Sequence, residues 1–343
     1  MWVGWFFAGQ LSNPTQPDNA LNFTAWLQTK GLGDIAEDTI FTACCTVQLY
    51  GPLNAITALN GLSWVRPSLL LTATREGTAH IPAGFQNMWR RLAALLGYPV
   101  HFGSVVDEVR PVRDGDVTTV EILCSGATEA ARFDHAFIAC PLDETRADGT
   151  ATLRHPLTDL FRERHAPFDS TEVYSGVWCA SHWPLEAASR CYLPAATSGE
   201  RGRLLTIRQC GKIGDEWVGQ ICSYTGADAP TDPDARLRAN RAQMVKDMET
   251  IVGLRNIRIV DDRLWRYNVR YSAGQLREGL PAVITERQGV EHVWYAGGGH
   301  SHWDVDMIAN FSQSLAWRFA KRAGLSFFVR LRIVRLRDLI RDL

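Results

Sequence analysis

Along the first sixty residues, apolar positions recur every three or four residues in three short stretches, each ended by a glycine. The first helix is expected from an Asp18 cap through Leu21, Ala25 and Trp26 to a stop at Lys30-Gly31. The second runs from about Glu37 to Tyr50, with Ile40, Cys44 and Val47 on one face. The third is Pro52–Asn60, with its proline in the permitted first turn and Gly61 as its stop. Together they read as a helical lobe. At His80 the pattern changes: a loop leads into an amphipathic helix with Phe85, Trp89, Leu92 and Leu96 on one face. Alternation then replaces helical spacing, giving strands at Val100–Phe102, Ser104–Val112, Val117–Cys124 and Phe133–Cys140. Asp114-Gly115 marks a hairpin between the second and third of these.

Residues 145–290 read as strands at Val173–Cys179, Arg203–Gln209, Trp217–Tyr224, Ile257–Asp261 and Leu264–Val269, with one clear helix at Pro233–Val252. That helix turns Leu237, Met244, Met248 and Ile251 inward. Trp265 and Tyr267 alternate on one strand and so share a face, which is either the wall of an apolar pocket or core. The stretch Glu291–Ala320 holds a short apolar strand over His292–Ala296, then Gly297-Gly298-Gly299, then a helix opened by Asp304 and Asp306. Strand, glycine turn and helix N-terminus form a place where free backbone N–H groups can face a polar ligand. The plain alternative is an ordinary βα turn. In the tail, residues 325–343, Val329, Ile333, Leu336, Ile340 and Leu343 make a narrow apolar seam among five arginines. Such a helix lies on a membrane surface, packs on a partner, or packs on its own domain.

Composition narrows the picture. A chain of 343 residues with 46% hydrophobic and 21% charged residues is of the ordinary globular kind, enough for one large or two medium domains. The formal net charge of −1 offers nothing to a polyanion, so no nucleic-acid partner is expected. The eight cysteines are scattered, form no CxxC pair, and several lie in apolar strand-like runs. That usage implies a reducing, cytoplasmic setting and no zinc site. No run approaches a membrane span, and Met1–Gly9 lacks the basic start and cleavage site of a signal peptide.

The candidate chemistry is sparse. His300-x-His302-x-Asp304 has the look of a metal-ligand run, which would make the chain a metal-dependent hydrolase. Such sites draw further histidines from later in the chain, and His302 is the last one here. There is no GxSxG elbow, no Walker A loop and no GxGxxG.

The order of the segments is more telling than any one of them. Pro82–Gly97 (P-x-G-F-Q-x-x-W-x-x-L-A-x-x-L-G), then GSVVDEV, FDHAFIACPLD, LWRYNV and RQGVEHVWYAGGG before a helix, resembles the flavin-containing amine oxidase superfamily, in particular its fungal β-cyclopiazonate dehydrogenase-like branch. The resemblance covers about Asn19 to Arg322. It implies an α/β fold in which an FAD-binding domain is interleaved with a substrate domain of sheet and helices. The implied division is 1–79 (helical part of the substrate domain), 80–144 (FAD domain), 145–290 (substrate sheet and helix), 291–324 (closing strand and helix of the FAD domain) and a basic C-terminal helix over 325–343. It further implies FAD as cofactor and hydride transfer from a small organic substrate, an amine or secondary metabolite. Val106 matches the valine whose backbone contacts the adenine. Gly297 and Gly298 match the closing turn at the flavin, although the family usually has Glu or Thr where Gly298 stands. Asp304 through Ile308 match the helix start whose N–H groups, near Met307, approach the flavin pyrimidine edge. His300, His302, Trp265 and Tyr267 are the expected pocket residues. The family's N-terminal strand–GxGxxG–helix and its ribose-holding acid have no counterpart, and none of the four lysines stands where many amine oxidases hold a water near flavin N5. The expectation is a truncated Rossmann-type member, with a non-catalytic chain unable to retain FAD as the alternative.

Overall fold

The computed structural model describes residues 17–33, 42, 45, 49–64, 84–97, 99–142, 153–164, 168–192, 195, 200–226, 228–298, 300 and 305–324. In chain order the elements are α1 (Phe23–Thr29), α2 (Ala58–Trp64), α3 (Gly84–Leu96), β1 (Val106–Asp114), β2 (Val117–Cys124), β3 (Ala131–Phe133), β4 (Ala136–Ile138), α4 (Thr158–Arg164), β5 (Asp169–Ala180), β6 (Ser189–Cys191), β7 (Thr206–Ile213), β8 (Glu216–Tyr224), α5 (Pro233–Asp247), β9 (Arg258–Arg270), α6 (Ala273–Arg277), α7 (Leu280–Arg287), β10 (Val293–Tyr295) and α8 (Val305–Arg322). The fold is mixed α/β, as the sequence pattern requires. Two compact units divide it: Met1–Arg66 with Asp169–Ala273, and Pro67–Phe168 with Gly274–Leu343. The chain therefore passes between units at 66/67, 168/169 and 273/274, beside the expected 79/80, 144/145 and 290/291.

The first unit is built on a five-stranded antiparallel sheet of order β6-β7-β8-β5-β9. One face carries Tyr174, Trp178, Ile207 and Ile221, all buried, against Met244 and Met248 at the end of α5. The Asp232 carboxylate caps α5 by accepting from the Ala235 N–H at 2.7 Å. Ile251 is exposed rather than inward, and Val252 is buried in its place. The reason is local: α5 runs on into a π turn over Met248–Val252, which adds a residue to the turn and moves the apolar phase by one. Asp247, wholly buried, accepts from Arg203, from the Leu204 N–H at 2.8 Å and from Gln243 at 2.7 Å, fixing α5 to the strand entrance. The two strands expected at 257–261 and 264–269 are one, β9.

The helical lobe of this unit departs from the expectation at its caps. Asn22, not Asp18, caps α1, accepting from the Ala25 N–H at 2.7 Å; Asp18 instead pairs with Lys30 at 3.1 Å. Gly61 does not stop a helix. It lies inside α2, where a Cβ would overlap the buried Phe23 ring, so it is the contact that lets α1 and α2 close. Only isolated residues of the expected 37–50 helix fall within the described residues.

The second unit contains an antiparallel meander, β1-β2-β3, and a parallel pair, β4-β10. The β1–β2 hairpin closes at Asp114↔Val117, where the Asp-Gly signal placed it. Across the meander, Glu121 accepts from Arg110 at 2.6 Å and from Arg132 at 2.9 Å, a row of alternating charge that holds its carboxyl below the usual range. Val100–Phe102 is not a strand, and Phe102 is exposed. The strand expected over 133–140 is broken at Asp134-His135. Phe133 closes β3, which finishes the meander, and Ala136–Ile138 form β4, which pairs in parallel with β10. Parallel pairs are stable when covered on both faces. On one face Phe137 stacks on Trp294 at 5.8 Å, and Phe319 of α8 meets both edge-on. On the other, Val293, Tyr295, Ala136 and Ile138 are buried. The outer margin of β10 is satisfied by Gln288, which donates to the Tyr295 carbonyl at 2.8 Å and accepts from its N–H at 2.9 Å, and by Gly289, which donates to Val293 at 2.8 Å.

Candidate functional site

The site grows from the end of the parallel pair. Ala296 still bonds to the Ile138 carbonyl at 2.8 Å, and the chain then turns at Gly297. Gly297 has φ +92, and a Cβ there would lie 2.6 Å from the Ala139 carbonyl oxygen. Two demands thus coincide: a left-handed backbone and a close approach of two strands' ends, and glycine alone meets both. Gly298 follows in the same turn, and the His300 N–H closes it onto the Gly297 carbonyl at 3.2 Å. Past the turn, α8 begins at Val305, an 18-residue helix whose first N–H groups have no partner within the helix.

The His300 ring sits edge-on to Phe168 at 6.0 Å and to Tyr295 at 6.5 Å. Burial, with the nearby charge of His155 adding to it, pushes its pKa down to about 4. His155 lies on the other side of Tyr295, with ring centroids 6.1 Å apart, and is itself buried. The Leu157 N–H donates to its Nδ1 at 3.2 Å, so the neutral ring carries its proton on Nε2 and donates it to the Leu142 carbonyl at 3.0 Å. Burial lowers the His155 pKa as well. The result is an aromatic, uncharged enclosure in which two imidazoles flank one phenol, and burial raises the Tyr295 pKa. At neutral pH this enclosure offers orientation and hydrogen-bonding capacity without formal charge.

The expected site residues divide between the units. Gly297, Gly298 and His300 share one turn, and Met307 and Ile308 lie in the opening turns of α8, all in the second unit. Val106 opens β1 of that unit, opposite Cys124 in the meander. Trp265 and Tyr267 lie in the first unit on β9. They do share a face and they are not core, being 49% and 37% exposed. His302 and Asp304, and with them the metal reading, lie outside the described residues, as does the 326–343 tail. Among the described residues no three His, Cys, Asp or Glu side chains are grouped to hold a metal, and no helix is long and apolar enough to cross a membrane. His155 was not singled out by sequence: Arg154-His155-Pro156 carries no motif, and only the fold brings it to Tyr295.

No protein-family model matches the chain, and no curated protein matches it by sequence. Solved structures do. The chain is similar to the CLA-producing fatty acid isomerase from P. acnes, with a TM-score of 0.70 and 16% identity over 89% of this chain and 67% of that one. It is also similar to an oxidoreductase from Methanosarcina mazei, with a TM-score of 0.53 and 8% identity over 82% of this chain and 63% of that one. The chain thus spans about two thirds of the first and less than two thirds of the second. At such identities the likeness establishes a shared fold, and the fold is that of these enzymes.

Proposed function

We propose that the protein is an FAD-dependent oxidoreductase of the amine oxidase kind, in its fungal β-cyclopiazonate dehydrogenase-like branch, taking hydride from a small organic substrate. The observation that carries this is the parallel pair β4-β10 running into the Gly297 turn and on to the N-terminus of α8. The fold shared with the oxidoreductase from Methanosarcina mazei supports it. In this reading the second unit holds the cofactor and the first unit bears the substrate.

The described residues fit the flavin end of FAD. In this reading the turn at Gly297 and Gly298 faces the cofactor, and the first N–H groups of α8, at Met307 and Ile308, favour an electron-rich edge. Val106 would meet the adenine. Bound there, FAD supplies a two-electron acceptor for hydride. The protein's own part is to position the substrate, to exclude water with the Phe168 and Tyr295 rings, and to keep His155 and His300 neutral so that no cation competes with the acceptor.

The 343 residues hold no GxGxxG, and a second reading is a non-catalytic member that binds its ligand without retaining FAD. A visible absorption spectrum of the purified chain before and after incubation with FAD separates the two. A bound-flavin band that bleaches with substrate supports the oxidoreductase. No band from a folded chain refutes it and leaves the binding protein.

A further inference from the structure

Exposed large hydrophobic side chains gather in one stretch of the second unit: Trp89, Leu95 and Leu96 on α3, then Val100, Phe102 and Val105 in the loop that leads to β1. The spacing on α3 is helical. Met88, Trp89, Leu92, Leu95 and Leu96 fall at i, i+1, i+4, i+7 and i+8, and so form a single stripe. A stripe of this kind ordinarily faces a core. Here Trp89 is 49% and Leu95 61% exposed, and Met88 and Leu92 are only half-buried. The helix ends at Gly97, whose φ is +66 and whose N–H donates to the Ala93 carbonyl at 3.1 Å. A few residues on, Phe102 is 87% exposed. Single apolar side chains at a surface are ordinary, whereas a whole stripe followed by an apolar loop marks a surface that meets something other than water.

Charge supplies the second observation. Residues 84–105 contain Arg90, Arg91 and no acid. Arg91, three after Met88 and four before Leu95, borders the stripe, and Arg90 stands behind it. Both are exposed, and neither has an ion-pair or hydrogen-bond partner among the described residues. The first acids beyond the loop are engaged elsewhere: Asp107 accepts from the Ser125 hydroxyl at 2.7 Å, and Glu108 lies 3.8 Å from Arg154. In a chain of net charge −1, this stretch is locally cationic and apolar at once.

We propose that α3 and the 99–105 loop seat the protein on an anionic lipid surface. The helix lies along the interface, with its stripe and Phe102 among the acyl chains and its arginines at the headgroups. The 13 residues of α3 span roughly 20 Å, short of a hydrocarbon core of about 30 Å, so the helix rests in the plane and does not cross. A bilayer answers both halves of the stretch: hydrocarbon receives the apolar side chains, and lipid phosphates and carboxylates take the guanidinium groups. A second copy of the chain suits the face less well. Two-fold pairing would bring Arg90 and Arg91 toward the same arginines, with no acid on the stretch to answer them. The inference is independent of the flavin reading.

The test is co-sedimentation of the full chain with vesicles of phosphatidylcholine alone and of phosphatidylcholine mixed with phosphatidylserine. The wild type is expected to partition onto the mixed vesicles at least about tenfold more strongly, a preference that high salt removes. Leu95→Ser with Phe102→Ser lowers partitioning onto either vesicle by at least about tenfold, because two large side chains no longer leave water. Arg90→Gln with Arg91→Gln removes the preference for the mixed vesicles and leaves partitioning onto phosphatidylcholine unchanged. Ile213→Ser, at an exposed apolar position of the first unit, alters neither. All the replaced side chains are exposed, and circular dichroism checks that each variant is folded. Hydrogen exchange of the wild type gives a reading that needs no variant: the mixed vesicles should slow exchange within 84–105 and leave β5 and β8 as they were. No sedimentation with the mixed vesicles, a Leu95/Phe102 variant that sediments like the wild type, or protection confined to other segments overturns the inference. So does concentration-dependent dimerisation that the same two substitutions abolish, which would give the face to a second copy.

Discussion

Replacing Gly297 by alanine tests the turn on which the cofactor reading stands. Two costs are separable there. At φ +92 an alanine is held in left-handed backbone, which costs about 1 kcal/mol. Its Cβ would also lie 2.6 Å from the Ala139 carbonyl oxygen and 3.2 Å from the carbonyl carbon. Both are backbone atoms at the end of β4, so no side chain can swing aside, and the parallel pair must open by some tenths of an ångström. Overpacking of that kind costs about 1–3 kcal/mol, for a total of about 2–4 kcal/mol. Gly126 supplies the control. It has φ +77 in the same unit with nothing within 4 Å of where a Cβ would stand, so Gly126→Ala carries the backbone cost alone. Urea unfolding followed by tryptophan fluorescence reads the stability of both variants, and FAD titration reads the turn's effect on binding. The expected result is a Gly297→Ala protein at least about 1 kcal/mol less stable than Gly126→Ala, with weaker FAD binding in Gly297→Ala only. Equal destabilisation of the two would refute the close approach of Gly297 to β4.

Acid should weaken the fold through the enclosed imidazoles, His155 buried and His300 half-buried. With the folded pKa of His300 lowered to about 4 and its ordinary value at 6.5, stability is full above pH 6.5 and is lost as pH falls toward 4, by up to about 3 kcal/mol from His300. Urea midpoints across that window should fall less steeply in His300→Gln than in the wild type, and parallel slopes would contradict the assignment. Asp247→Ala removes three donors' partner from a wholly buried position and should cost about 3 kcal/mol in urea unfolding. A loss below about 1 kcal/mol would mean that water replaces the carboxylate. Gly61→Ala forces a methyl into the Phe23 ring and should lower the thermal midpoint of the first unit, a cost of about 3 kcal/mol, while Phe23→Leu in the same chain recovers part of it.

What the sequence disclosed followed from period and from turn chemistry. Strand alternation located β5, β7 and β8, and Asp114-Gly115 located its hairpin, because both signals are local. The aromatic alternation at Trp265 and Tyr267 put both on one face, although periodicity could not say whether that face was closed. Where the sequence misled, a long-range partner had decided the matter. Gly61 has the same local context as a helix stop, but Phe23, far back in the chain, makes it a contact instead. The apolar run 133–140 reads as one strand, yet Phe133 pairs with β2 and Ala136–Ile138 with β10, and the chain breaks between them. The π turn after Asp247 leaves no mark in the residue pattern, so Ile251 and Val252 exchanged places unseen. Of the site, the glycine turn was legible because only glycine tolerates its backbone. His155 was not, because nothing near it in sequence announces Tyr295.

The bonds that Gln288 and Gly289 make to β10 have a consequence for how the sheet can grow. A strand margin is ordinarily a template, with its bare amides ready to recruit any extended chain. Here that template is erased on one side: the amide of one side chain and the N–H of the next residue occupy the outward groups of Val293 and Tyr295. The Arg322 side chain, bonded to the Gln288 carbonyl at 2.8 Å, locks the device to the end of α8. The pair β4-β10 is thereby given a polarity across its width. Recruitment of a further strand, whether from this polypeptide or another, is confined to the margin of β4, and runaway edge-to-edge polymerisation through β10 is closed off.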